Sequence, residues 1–135
     1  IFKTNKFIII NNIKASNLDA TIKSLKDLSN VYLIMGGIAK EKSFKNLFKY
    51  KNNVVKIYLY GQSSCYIHKQ VKNFSESIIL PNLSKVIDEI YKDVKLQKNK
   101  SVILFAPACS SFDQYKNFEE RGLDFNKLIK RKFTN

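Results

Sequence analysis

Short apolar runs and helical patterns alternate five times along this chain of 135 residues. Few folds accept that rhythm. The runs cover residues 7–10, 31–35, 54–60, 77–80 and 102–106. They are rich in Ile, Val, Leu, Tyr and Phe, and most stop at Gly or Pro: Gly36-Gly37, Gly61, Pro81 and Pro107. Continuous apolar runs of this length, closed by turn residues, read as strands buried on both faces. Between them lie amphipathic stretches with capping residues. Asn17 can cap a helix over 18–28, with Ile22, Leu25 and Leu28 on one face. Ser43 can cap a short helix through Phe44, Leu47 and Phe48. A third helix runs through Cys65, Ile67 and Val71. Asn82 can cap a fourth, with Leu83, Val86, Ile87, Ile90, Tyr91 and Val94 at helical spacing. The tail over 118–133 reads as the last, although Gly122 weakens its first turns.

Strand–helix alternation of this kind predicts βαβ units. The expected fold is α/β: a three-layer, Rossmann-like domain with a mostly parallel sheet of five to six strands. Nothing resembling a linker, repeat or low-complexity segment interrupts residues 1–135, so they are read as a single domain. The dinucleotide fingerprint Gly-x-Gly-x-x-Gly is missing, and so is a Gly-rich loop ending in Gly-Lys-Ser/Thr. Neither the usual Rossmann cofactor nor autonomous ATP hydrolysis is expected from these residues. The chain opens at Ile1 without a signal-peptide pattern or an initiator Met, which suggests a piece of a longer protein. No stretch approaches the roughly 20 apolar residues of a membrane helix. Two cysteines, Cys65 and Cys109, give no disulfide framework, so a reducing cytoplasm is expected.

The net charge of +13 invites an acidic partner. The lysines are scattered, however, as on solvated helix faces, and no RNA-binding aromatic motif, zinc finger or helix-turn-helix accompanies them. Nucleic acid is therefore not the favoured partner.

The sharper signal lies at the predicted carboxyl ends of three strands. Lys14 and Ser16 follow the first strand. Lys40 follows the second and its glycine pair. Ser110 and Ser111 follow the fifth. In open α/β sheets such loops converge on one rim, where ligands gather. Ser111 and Gln114 have capping-box spacing, which predicts a fresh helix N-terminus there. Free N–H groups, a positive dipole end and two ammonium groups on one edge describe an anion site. Ser111 lacks a base to make it a nucleophile, since the one histidine, His68, belongs to a different helix. Cys109 reads as a buried structural thiol, and Cys65 with His68 supplies too few ligands for a metal. Asp113, Glu119 and Glu120 are expected to serve helix starts.

Residues 107–122, Pro-Ala-Cys-Ser-Ser-Phe-Asp-Gln-Tyr-Lys-Asn-Phe-Glu-Glu-Arg-Gly, resemble the C-terminal signature of the MurD-type Mur ligases. These are the ATP-dependent UDP-N-acetylmuramoyl-L-alanine:D-glutamate ligases. Residues 11–17, Asn-Asn-Ile-Lys-Ala-Ser-Asn, resemble the family's Asn-Asp-Ser-Lys-Ala-Thr-Asn segment. Residues 36–40, Gly-Gly-Ile-Ala-Lys, resemble its Gly-Gly-x-x-Lys loop. The resemblance spans the chain but only the last third of such a ligase. It implies a C-terminal domain that holds the incoming amino acid, docks on its own N-terminal and central domains and closes over ATP. The P-loop and the magnesium sites would lie in the central domain, outside this chain, so no catalytic or metal-binding residue is expected here. By resemblance, Lys40 and Ser16 hold the side-chain carboxylate of D-glutamate. Ser111 and the backbone at Phe112 and Phe118 hold its α-carboxylate. Lys14 and Asn12 face the nucleotide. Asn12 stands where the family has an aspartate, Ile13 replaces a serine, and Ser16 replaces a threonine. Without the resemblance, the residues leave open a stand-alone α/β module for an anionic metabolite or nucleic acid.

Overall fold

A computed structural model describes residues 2–3, 6–12 and 14–133. Its elements in chain order are β1 (Phe2–Lys3), β2 (Phe7–Asn11), α1 (Leu18–Leu25), β3 (Val31–Gly36), a 3-10 helix (Lys45–Tyr50), β4 (Val54–Tyr60), α2 (Ser64–Val71), β5 (Ser77–Ile79), α3 (Leu83–Val94), β6 (Ser101–Ala108) and α4 (Phe118–Phe133). The sheet order is β1-β2-β6-β3-β4-β5. Five strands run parallel, and β1 joins the edge antiparallel to β2. The last long strand, β6, thus sits between β2 and β3, and the three strands whose loops carry the candidate residues are neighbours.

Strand side chains alternate between faces. Val31, Leu33 and Met35 of β3 join Leu18 and Leu25 of α1, Leu47 of the 3-10 helix, and Ile67 and Val71 of α2 in one core. Tyr32 and Ile34 turn the other way, into a second core with α3 and with Phe125 and Ile129 of α4. Three layers follow, as the alternation predicts.

The helix starts are chemically legible. The Asn17 side chain accepts from the Ala20 N–H (2.9 Å), and the Asn82 side chain accepts from the Lys85 N–H (3.0 Å). The stretch near Ser43 winds as a 3-10 helix rather than a short α-helix, and α1 ends at Leu25, short of the expected residue 28.

Two expectations near the site need correction. First, β6 does not stop before Pro107 but continues to Ala108. Its pairing with β3 shifts between Ile34↔Phe105 and Gly36↔Ala108, so β6 carries one extra residue there. That bulge takes in Pro107, which has no N–H to give a ladder. Second, no helix opens at Ser111. Its carbonyl accepts from Gln114 N–H (3.3 Å) and Tyr115 N–H (2.8 Å) in a single turn that does not propagate. The Gln114 side chain donates to the Pro81 carbonyl (3.1 Å) rather than reaching back to Ser111. The helix begins seven residues later, at Phe118, where Asn117 accepts from the Glu120 N–H (2.8 Å). The intervening turn is used for tertiary contacts instead.

Candidate anion-binding rim

The parallel strands β2, β6 and β3 end side by side, so the loops after them share one edge of the sheet. Backbone hydrogen bonds stitch these loops together. Ala108 N–H donates to the Ala15 carbonyl (2.7 Å), joining the loop after β2 to the end of β6. Ile38 and Ser110 exchange a reciprocal pair of N–H···O bonds, each 3.0 Å, joining the loops after β3 and β6. Gly37 makes that approach possible. It sits at φ +122°, and a Cβ there would lie 1.9 Å from the Ser110 carbonyl oxygen. The glycine pair thus serves a close approach within the chain.

On this frame Lys14 and Lys40 are exposed, Ser16 is half-buried, and Ser111 is buried. Phe112 and Phe118 lie on the same stretch, the first largely exposed at 71% and the second about one-third exposed at 36%. Asn12 is differently engaged. Its N–H donates to the Phe105 carbonyl (2.9 Å), and its amide donates to Ser24 Oγ on α1 (2.6 Å). That side chain ties the loop to a helix. Ile13 lies outside the described residues.

With no helix at Ser111, the predicted dipole contribution at that point is absent. The rim's charge comes from its lysine side chains, and its shape comes from the stitched loops. Asp113 serves no helix start; its carboxylate accepts from the Gln62 N–H (2.8 Å), pinning the 111–117 turn to the loop after β4. Glu119 and Glu120 do occupy the first turn of α4, where they suit its dipole. Burial first, with the Glu41 charge next, pushes the Cys109 thiol up to about 12, so it stays a protonated, inert side chain. His68 pairs through Nδ1 with Ser77 Oγ (2.7 Å) at the start of β5, the opposite end of that strand from the rim loops. Among the described residues no three His, Cys, Asp or Glu side chains gather as a metal site. No described helix is long and apolar enough to cross a membrane.

Two residues of the site region escaped the sequence reading. Glu41, next to Lys40, accepts the Leu18 N–H (2.9 Å) and so ties the loop after β3 to the start of α1. Arg121 is completely buried beneath the rim, where Nη1 donates to the Cys109 carbonyl (2.8 Å). A signal existed for Arg121. It falls at helical spacing with Phe125 and Ile129, on the buried stripe of α4, where a cation is out of pattern.

No family model matches the chain. Curated proteins do. It is 42% identical over 129 residues to the UDP-N-acetylmuramoylalanine–D-glutamate ligase of Rickettsia felis, covering 94% of this chain and 28% of that protein. The enzyme of the same name from Rickettsia prowazekii is 40% identical over 128 residues, covering 94% of this chain and 29% of the relative. That of Prochlorococcus marinus strain MIT 9515 is 37% identical over 99% of this chain and 29% of the relative. The chain spans less than a third of the length of these relatives. Over nearly its whole length it is homologous to a C-terminal part of these ligases.

Proposed function

We propose that residues 1–135 form one domain of a peptidoglycan-precursor ligase, the domain that holds D-glutamate while it is joined to UDP-MurNAc-L-alanine at the expense of ATP. One observation carries the reading. The three segments that resemble the family's motifs are far apart in sequence, yet their loops meet on one sheet edge and are bonded to one another. A dicarboxylic amino acid needs two sets of donors, and the rim carries two candidate sets. Lys40 and Ser16 suit the side-chain carboxylate, because a compact ammonium and a hydroxyl can both donate to it. Ser111, with the backbone at Phe112 and Phe118, suits the α-carboxylate. Lys14 faces the nucleotide phosphates. Asn12 faces the nucleotide beside it, and its bond to Ser24 holds the loop in place.

In this reading the chain positions the nucleophile rather than activating the acceptor. Phosphoryl transfer, magnesium and the triphosphate loop belong to other parts of the ligase, and the isolated domain is inactive. The setting is the bacterial cytoplasm, where UDP-linked precursors and ATP are available. A free-standing anion- or nucleic-acid-binding module is not favoured, because homology to one ligase covers almost the whole chain. The test is phosphate release by the full-length protein with ATP and UDP-MurNAc-L-alanine. Release that depends on D-glutamate, and not on L-glutamate, supports the reading. Release indifferent to D-glutamate, or none, refutes it.

A further inference from the structure

Arg121 is the one fully buried charged side chain among the described residues. Nη1 donates to the Cys109 carbonyl at 2.8 Å and lies 3.5 Å from the Gly36 carbonyl. Its guanidinium carbon is 6.0 Å from the Phe105 ring centre. Nε and Nη2 are buried without a carbonyl or carboxylate partner, and the Tyr60 hydroxyl lies close enough for the guanidinium to act on it. No carboxylate of the described residues lies within ion-pair distance of it. A buried cation without a paired anion is costly, and an apolar residue would stabilise the fold better. Stability therefore does not explain an arginine here, and its position suggests what does. Gly36 is the last residue of β3, four positions before Lys40. Cys109 follows β6 directly, two positions before Ser111. One guanidinium nitrogen faces both carbonyls, from below the rim.

We infer that Arg121 is a positioning residue for the dicarboxylate: it fixes the spacing between the Lys40 loop and the Ser111 turn from beneath them. This inference rests on the ligase reading and deepens it by naming a residue that selects a doubly negative amino acid. Glu41 and Asp113 act on the same neighbourhood, so what Arg121 contributes to selectivity is the spacing of the two loops rather than an unopposed charge. Nucleotide contacts, which the reading assigns to the loop after β2, do not depend on this spacing.

The test is steady-state kinetics of the full-length ligase, with Arg121→Met and Arg121→Lys compared to the wild type. Arg121→Met keeps bulk and loses charge and donors. It is expected to raise the KM for D-glutamate by about tenfold or more while the KM for ATP stays within about twofold. Arg121→Lys keeps the charge and one carbonyl contact, and is expected to recover most of that loss. A folded Arg121→Met enzyme with an unchanged KM for D-glutamate would overturn the inference, as would equal rises in both KM values. If Arg121→Met does not fold, Arg121→Lys decides alone. A rise of about twofold to fivefold confined to D-glutamate supports the role, and no rise or a uniform one overturns it. A wild-type enzyme without D-glutamate-dependent turnover would refute the ligase reading, and the role of Arg121 with it.

Discussion

Gly37→Ala should detach the two loops that carry Lys40 and Ser111. A Cβ at position 37 would sit 1.9 Å from the Ser110 carbonyl oxygen and 3.1 Å from the Cys109 side chain. The first contact is with backbone, so no side-chain rotation can relieve it. Relief requires the Ile38–Ser110 bridge to open, which loses two reciprocal bonds of 3.0 Å. At about 1 kcal/mol each, those bonds account for about 2 kcal/mol. Alanine held at φ +122° adds about 1–3 kcal/mol of backbone strain. The sum is about 3–5 kcal/mol. For a domain of this size that lowers Tm by about 10–20 °C. Thermal unfolding followed by circular dichroism measures it, and in the full-length enzyme the KM for D-glutamate should rise in parallel. A Tm within about 2 °C of the wild type would refute the reasoning, because it would mean that the loops do not need this approach.

Three further outcomes follow from particular contacts. Lys40→Ala in the full-length ligase should weaken D-glutamate use by about tenfold to a hundredfold, the worth of one charge-assisted hydrogen bond, and leave ATP use unchanged; steady-state kinetics with each substrate varied in turn will show it, and an unchanged KM and kcat would remove Lys40 from the site. Asn117→Ala should destabilise the fold by about 0.5–2 kcal/mol, since Asn117 caps α4, and denaturant midpoints should show no comparable loss for Gln114→Ala. Stability should decline as pH rises past about 10. Burial disfavours the Lys56 ammonium, but the hydrogen bond and charge of Asp93, 2.9 Å away, outweigh it and hold its pKa above the ordinary value. Burial also pushes the Tyr58 phenol up. Both groups keep their protons longer in the folded state, so their contribution is full below the unfolded-state pKa values near 10 and is lost above them. Denaturant midpoints between pH 8 and pH 11 should fall more steeply in the wild type than in Asp93→Asn, and equal slopes would exclude the pairing as the cause.

Much of the architecture was legible because the central strands are apolar on both faces and Asn17, Asn82 and Asn117 cap α1, α3 and α4. Val31, Leu33 and Met35 against Tyr32 and Ile34 show why periodicity could not fix which face met which helices: every residue of β3 is buried. β1 left no signal, since two residues pairing on an edge produce no pattern. Pro107 misled in a physically instructive way. Its missing N–H argues against a central strand, and the sheet accepts it only by inserting an extra residue in β6. That decision depends on the partner strand, which local sequence does not contain.

The three loops do meet on one sheet edge, as expected, but the expected local structure at Ser111 is not there. Ser111 and Gln114 have the spacing of a capping box, but Asn117 wins the start of α4 because the residues between are committed elsewhere. Asp113 holds the Gln62 N–H, Gln114 holds the Pro81 carbonyl, and Tyr115 donates to the Asp124 carboxylate. Each bond reaches a segment distant in sequence or a later turn of α4, so local pattern could not rank them against a cap. The loss of the helix start changes the physical account of anion recognition. A helix N-terminus attracts an anion with main-chain dipoles alone, whereas here the backbone groups of the loops are largely spent on one another. Under the proposed reading, attraction falls to Lys14 and Lys40, and selectivity to the distances at which the stitched loops hold them. Substitutions that move the loops should therefore harm D-glutamate use as much as substitutions that remove a charge.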